Sequence, residues 1–197
     1  MKFQNVARYE FRVFGSDLSR YRDGFARLGK GETQPASREV YIVTRLNIES
    51  NVKIRSGRLD VKGLEGRLQL LEQWQPLLSA ELPVPAFDIE NVVAPALGID
   101  VDLEGLPAFG EAELVTFADD QIALESLEVE KVRTLFDLGS CEAEFTELAI
   151  GADGLQTVAV ESPDADALNV LLAKVGLKSE ENISYPAFLQ SRLFQPA

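Results

Sequence analysis

The chain has no histidine, and it has one cysteine, one methionine and one tryptophan in 197 residues. The lack of histidine excludes Ser-His and Cys-His nucleophilic catalysis, histidine general bases and histidine-ligated zinc. Because Cys141 has no second cysteine to pair with, we expect a reducing compartment and interpret this thiol as a strand residue rather than a nucleophile. Carboxylates, hydroxyls, lysine, arginine and hard metal ions remain for chemistry.

Long apolar runs are missing too. The N-terminal stretch MKFQNVARYEF lacks the apolar core of a signal peptide, and no window approaches the length of a membrane span. We therefore expect a cytoplasmic protein that does not contact the membrane. An apolar content of 46% and a charged content of 26% suit one globular domain over 1–197, and a homodimer is compatible with it.

Positive charge is scarce and unevenly distributed. The net charge is −13, from 19 basic and 32 acidic residues. The first 67 residues hold 14 of the 19 bases, and no lysine or arginine occurs between Leu68 and Glu130. The overall negative charge argues against non-specific binding of nucleic acid, because it repels a phosphate backbone. A local basic site for a small anion is still compatible with this composition.

Alternating apolar and polar residues predict a protein dominated by β-strands. We predict strands at 7–14, 38–45, 51–55, 58–63, 68–75, 111–118, 121–136 (one long strand or two), 140–149 and 155–161. Helices are predicted at 17–28, at 163–175 with Ser162 as cap and Gly176 as terminator, and from about residue 184. The stretch 30–37 is predicted as a loop, and Ser56-Gly57 as a tight hairpin turn.

The proline-rich segment 76–110 interrupts this rhythm. We interpret it as an insertion that packs on the sheet, with one or two helical turns around residues 87–97. The fold class that follows is α+β: an antiparallel, eight-stranded, closed or nearly closed β-barrel, flanked by a few helices. Its polarity would be inverted, with a charged interior forming a tunnel and with helices covering the apolar outer faces.

Charged residues two positions apart point to one face of a strand, about 6–7 Å from each other. This spacing recurs along the chain, as in Arg8/Arg12 around Glu10, Lys53/Arg55 and Lys131/Arg133. If the strands close, cations and carboxylates would meet around one cavity, where lysine and arginine bind phosphoryl oxygens. The plainer alternative is a set of solvated faces on an ordinary antiparallel sheet.

In their order along the chain, these motifs resemble the CYTH superfamily, or triphosphate tunnel metalloenzymes. That superfamily includes class IV adenylate cyclases, thiamine triphosphatases and inorganic triphosphatases. The matching segments are Arg8–Arg12 for ExExK, Val52–Arg55 for LRIR, Asp60–Gly63 for TxKG, Leu71–Trp74 for a glutamate strand, Lys131–Arg133 for KxR and Ala159–Glu161 for EIE. The resemblance covers nearly the whole chain except 76–110.

The resemblance implies a site for a triphosphate or short polyphosphate together with Mg²⁺ or Mn²⁺. The implied phosphate-binding residues are Arg12, Lys53, Arg55, Lys62, Lys131 and Arg133. The implied metal ligands are Glu10, Glu161, Glu72 and Glu144. Two departures weaken the metal set, because Arg8 and Ala159 stand where the pattern has glutamates.

Three functions follow as hypotheses. The first is a divalent-metal-dependent phosphohydrolase, a triphosphatase rather than an adenylate cyclase because no purine pocket is evident. The second is a catalytically weakened or noncatalytic module that binds a phosphorylated ligand, such as a nucleotide or polyphosphate. The third is a structural or interaction domain with an acidic surface.

Overall fold

The computed structural model describes residues 6–194, and its strands form one antiparallel sheet. The strands are β1 (Arg8–Gly15), β2 (Gly31–Thr33), β3 (Ser37–Thr44), β4 (Ser50–Arg55), β5 (Arg58–Leu68), β6 (Leu71–Glu81), β7 (Leu124–Leu138), β8 (Cys141–Ile150) and β9 (Asp153–Ser162). Their hydrogen-bonded order is β7-β3-β4-β5-β6-β1-β9-β8, and β8 pairs again with β7. The predicted closed barrel of eight antiparallel strands is confirmed, and β2 is an extra strand that pairs with β7.

Helices occupy the connections. They are α1 (Ser19–Ala26), α2 (Ala86–Asp88), α3 (Ala94–Leu97), α4 (Glu111–Asp119), α5 (Ala165–Val175) and α6 (Tyr185–Leu193), with a π-helical turn at Ile89–Val93 and a 3₁₀ turn at Leu177–Ser179. The helical turns predicted around residues 87–97 are confirmed. No helix within residues 6–194 combines the length and the hydropathy needed to span a bilayer.

The chain divides into two compact units. The first unit comprises the chain up to Ser37, Leu64–Gln75 and Glu130–Ser184. The second comprises Arg38–Gly63, Pro76–Val129 and the chain from Tyr185 onward. The β-strands β5, β6 and β7 each contribute residues to both units.

The core of the first unit lies between its strands and the helices α1 and α5. Phe11 and Val13 of β1, with Val158 and Val160 of β9, are buried in one apolar cluster. The same cluster includes Tyr21 and Phe25 from α1 and Leu168, Leu171 and Leu172 from α5. Every second residue of each strand therefore faces the helices, and the residues between them face the opposite side of the sheet.

The second unit has its own apolar core. Strand residues Val40, Ile42, Val52, Ile54 and Val61 pack in it. Helical residues Ile89, Val93, Leu97, Leu114 and Ala118 belong to the same cluster. Although the segment 76–110 is rich in proline and acidic residues, it contributes buried apolar side chains to this core.

The predicted strand at 111–118 is wrong, because these residues form helix α4 (Glu111–Asp119). The stretch EAELVTFA fits a period of two, but Leu114 and Ala118 are spaced four apart, and both are fully buried. The Glu113 side chain accepts a hydrogen bond from the Gly110 backbone N–H (3.0 Å), which is a helix-start contact. Short apolar runs fit both periods, and here the capping contact and the one-sided burial favour the helix.

Three boundaries also differ from prediction. Asp164 caps α5 instead of Ser162, because its carboxylate accepts hydrogen bonds from two first-turn N–H groups. Strand β6 runs through Pro76 to Glu81, since a proline is tolerated in a strand wherever no neighbour needs its N–H. The predicted loop 30–37 contains the three-residue strand β2 and the start of β3.

Candidate anion-binding site

Alternation along β1 separates its apolar and charged residues. Phe11 and Val13 face the core under the helices, so Arg8, Glu10 and Arg12 lie on the opposite, inner face of the sheet. Both arginines are nonetheless buried, at 7% and 5% exposure. The inverted polarity predicted for this sheet is therefore present in the first unit.

Four glutamates lie directly opposite one another on the neighbouring strands β6, β1, β9 and β8. Glu10 is in register with Glu72 on one side and with Glu161 on the other, and Glu161 is in register with Glu142. Directly opposed side chains have Cβ atoms about 4.5–5.5 Å apart, and like charges at that distance repel. We call these four residues the glutamate row, and its formation requires compensating cations.

Arg8 supplies positive charge to one end of the glutamate row. Its Nη1 lies 2.8 Å from Glu161 Oε2 and 3.3 Å from Glu142 Oε2. One guanidinium nitrogen thus contacts carboxylates on two adjacent strands, β9 and β8. The guanidinium group therefore places its positive charge between two carboxylates.

Arg12 compensates the middle of the row and extends beyond it. Its Nε donates a hydrogen bond to Glu10 Oε1 (2.7 Å), and its Nη1 lies 3.6 Å from Glu144 Oε1. Ala159 lies between Arg12 and Glu144, in register with both. Because Ala159 is small, the guanidinium group can cross it and reach the carboxylate on β8.

Glu144 is contacted by Arg12 and lies within the electrostatic influence of two cations on β7, Lys131 and Arg133. Burial by itself would raise the pKa of Glu144, but Arg12, Lys131 and Arg133, with a 2.8 Å hydrogen bond from Thr146, lower it below its usual value. Lys131 is buried, and Arg133 lies two residues further along β7. The neighbouring positive charges therefore outweigh the cost of partly burying this carboxylate.

The pKa of Glu72, at the β6 end of the glutamate row, is shifted in the opposite direction to that of Glu144. Burial raises the pKa of Glu72, and the neighbouring charge of Glu10 raises it further. Arg67 Nε, 3.4 Å from Glu72 Oε1, acts to lower it without restoring the usual value. Neighbouring cations therefore compensate the charge of Glu72 less completely than that of Glu144.

The predicted metal ligands do not fit Mg²⁺ or Mn²⁺ in this arrangement. Each of Glu10, Glu72, Glu144 and Glu161 has an arginine nitrogen within 3.6 Å. Both ions prefer oxygen ligands and are repelled by a neighbouring guanidinium group. Among residues 6–194, no three acidic or cysteine side chains are grouped so that they could hold a metal ion.

In the second unit, the predicted cations Lys53, Arg55 and Lys62 lie on the strand face opposite the apolar core. Lys53 Nζ is 3.4 Å from Glu39 Oε2, and Arg55 Nε is 3.1 Å from Asp60 Oδ2. Lys62 is half-buried. These cations share a charged strand face with carboxylates, as the inverted polarity requires.

Two carboxylates of these networks were absent from the predicted ligand set. Glu142, in the glutamate row, could have been found from its position two residues before Glu144 on the same strand face. Glu39 is fully buried and accepts a hydrogen bond from the Tyr41 hydroxyl (2.9 Å). The sequence indicates its position, because Glu39 alternates along β3 with Val40 and Ile42, which belong to the core.

Cys141 takes no part in this site. It begins β8 and is 2% exposed in the core of the first unit. Burial raises the pKa of its thiol, so the reactive thiolate form is disfavoured. The interpretation of Cys141 as a strand residue is confirmed.

The closed antiparallel barrel of eight strands is a fold that solved structures share. Among solved structures, the chain is similar to the Hippeastrum protein HpAC1, described as having a dominant triphosphatase activity. That match has 15% identity and a TM-score of 0.54, and it covers 96% of this chain and 98% of the other. The Mimivirus capping enzyme triphosphatase is similar at 8% identity and a TM-score of 0.51, over 89% of each chain.

A Pyrococcus furiosus protein described only as conserved and hypothetical is also similar. It has 13% identity and a TM-score of 0.52, with 90% of this chain and 98% of the other covered. No protein-family model matches the chain, and no curated protein matches it. These likenesses confirm the CYTH resemblance at the level of the fold.

Proposed function

We propose that this protein binds a triphosphate or short polyphosphate through the cations on the inner face of its first unit. The observation that carries the proposal is that Arg12, Lys131 and Arg133 share the charged strand face of the first unit with the half-buried carboxylate of Glu144. Arg12 Nη1 lies 3.6 Å from Glu144 Oε1, and on the neighbouring strand β7 Arg133 and Lys131 are in register with Thr146 and Leu148 of β8. A phosphoryl group brings the negative charge that this cluster attracts.

The chemistry of the cluster suits phosphate oxygens. Arginine can bind two oxygens of one phosphate at once, whereas lysine provides a compact charge that adapts to the neighbouring phosphate. Arg12 is held by hydrogen bonds and ion pairs before any ligand arrives, so little side-chain entropy is lost on binding. Lys53, Arg55 and Lys62 belong to the second unit, and the phosphate-binding role predicted for them from the sequence stays a prediction.

The test is isothermal titration with tripolyphosphate, pyrophosphate and orthophosphate. We expect affinity to rise with the number of phosphates and to fall with added salt, because the interaction is between charges. Lys131→Met should weaken tripolyphosphate binding about tenfold or more, since a hydrogen bond to a charged group contributes about 1.5–3 kcal/mol. Absence of tripolyphosphate binding by the wild-type protein would reject the proposal.

Lys178→Met is the matched control for this experiment. It removes the same charge from an exposed position in the 3₁₀ turn after α5. Circular dichroism should show that both variants are folded. Equal loss of affinity in the two variants would mean that tripolyphosphate responds only to net charge, which contradicts a site at Lys131.

A second candidate is the metal-dependent phosphohydrolase, and one observation favours it: the four carboxylates of the glutamate row are in register. Two of the structurally similar proteins are described as triphosphatases or as having triphosphatase activity. The test is phosphate release from tripolyphosphate, thiamine triphosphate or ATP with Mg²⁺ or Mn²⁺. Turnover that Glu161→Gln abolishes would support hydrolysis, and no release from any substrate would reject it.

The location and the type of ligand are proposed from composition. Because a single cysteine cannot form an intrachain disulfide, we propose a cytoplasmic protein, and we propose that its ligand is a small molecule. The net charge of −13 opposes a nucleic-acid partner. Sedimentation of the purified protein would test the predicted compatibility with a homodimer.

A further inference from the structure

The glutamate row poses an electrostatic problem that the protein solves with its own side chains. Four carboxylates face one another across four adjacent strands. Proteins that gather several carboxylates commonly neutralise them with a bound cation, because their mutual repulsion would otherwise destabilise the fold. Here every member of the row is contacted by an arginine nitrogen, at distances from 2.7 to 3.4 Å.

Arg8 has the position of a bridging cation. Its Nη1 contacts one oxygen of Glu161 and one oxygen of Glu142, and its side chain is only 9% exposed. A divalent ion that bridged the same two carboxylates would have to lie beside this nitrogen. Repulsion between the ion and the guanidinium group would oppose such binding, and Mg²⁺ gives up its water ligands reluctantly.

We propose that the Arg8 guanidinium group is a fixed replacement for a divalent cation in the glutamate row, so that the first unit binds its anionic ligand without metal. Arg8 is therefore a specificity-determining residue that selects against divalent ions. Binding of the anionic ligand without metal rests on the proposed function, whereas the replacement of a divalent cation by Arg8 in the glutamate row does not.

The first test uses Mn²⁺ alone, titrated calorimetrically into metal-free protein. Wild-type protein should show no saturable binding that depends on Glu161. Arg8→Gln keeps a side chain of similar length but removes the charge, and it should bind Mn²⁺ at least tenfold more tightly than wild type. Adding Glu161→Gln to Arg8→Gln should abolish the gain, and Arg8→Lys, which keeps the charge, should behave as wild type.

Two results would overturn the proposal. One is wild-type protein that binds Mn²⁺ as tightly as Arg8→Gln and loses this binding with Glu161→Gln. The other is a folded Arg8→Gln variant that gains no affinity for Mn²⁺. If Arg8→Gln does not fold, the thermal midpoint of the wild type decides: no difference between Mn²⁺ and EDTA supports the proposal, whereas a saturable rise that Glu161→Gln removes contradicts it.

The second test adds tripolyphosphate to wild-type protein in EDTA and in Mn²⁺. Equal affinity in the two buffers, after correction for the metal that tripolyphosphate itself binds, supports binding without metal. Binding that occurs only with Mn²⁺ overturns it. If tripolyphosphate binds in neither buffer, the proposed function fails, while the Mn²⁺ titration still decides the role of Arg8.

Discussion

Arg12 shows how tightly the charged residues of the first unit are connected. Its guanidinium group contacts Glu10 and Glu144, and its backbone N–H donates a hydrogen bond to Asn182 Oδ1 (2.7 Å). Its carbonyl oxygen accepts one from the Ile183 N–H (2.8 Å). If Glu144 is removed, Arg12 still contacts Glu10, so the cost is smaller than the penalty of about 3–5 kcal/mol for a buried charge left wholly uncompensated.

Glu144→Gln tests this network through pH. The pKa of Glu144 is lowered in the folded protein, so the ionised carboxylate contributes stability above the unfolded-state pKa, and this contribution is lost as the pH falls through the folded-state pKa. We expect Glu144→Gln to lower the free energy of unfolding by about 2 kcal/mol at neutral pH. The difference from wild type should stay constant down to about pH 5 and shrink below about pH 4.

Urea unfolding of both proteins across this range would measure the difference. Glu180→Gln is a suitable control, because Glu180 also accepts hydrogen bonds from Arg20 and Tyr21 but lies outside the inner face. A difference for Glu144→Gln that grows as the pH falls would contradict the assigned charge state.

At the scale of elements, the start of α5 is the best-defined helix boundary. Asp164 Oδ1 accepts hydrogen bonds from the N–H groups of Asp166 (2.9 Å) and Ala167 (3.1 Å). At the other end Gly176, with φ of 79°, ends the helix in a left-handed conformation that costs glycine little. The helix between them buries Leu168, Leu171 and Leu172 in the core of the first unit.

Asp164→Ala should lower the free energy of unfolding by about 1 kcal/mol, because two first-turn N–H groups lose their acceptor. Asp166→Ala is the matched control, since it removes an exposed first-turn acid that caps nothing in the described contacts, and it should cost only a few tenths of a kcal/mol. Thermal or urea unfolding would compare the two. Equal losses would show that helix-dipole charge, not capping, explains the effect.

Strands and helices could be predicted from the sequence where the apolar residues repeat with one clear period. The period of two in β1 and β4 identifies strands, and the leucine spacing of α5 identifies a helix. The sequence of α4 does not reveal a helix, because its apolar residues fit both periods and the helix starts at Gly110, which offers no capping side chain. The sequence does not distinguish Ser162 from Asp164 as the cap of α5, because both are good capping residues and only the backbone path decides between them.

In both units, charged and apolar side chains occupy opposite faces of the strands. Acidic residues dominate a chain of net charge −13, yet its strands turn arginine and lysine away from the helix-covered faces. The charged inner face could be anticipated from spacing alone. The partners of each charge could not, since Arg8 contacts Glu142 across 134 positions and only the strand register brings the two together.

We propose that fixed cations on the inner face of the first unit bind a polyphosphate without a metal ion. The decisive measurement is a crystal structure of the protein grown with tripolyphosphate in EDTA. We predict phosphate density in contact with Lys131 and Arg133, with Arg8 still between Glu142 and Glu161. Phosphate bound only when Mn²⁺ is present and coordinated by the glutamate row, with Arg8 displaced, would contradict the account.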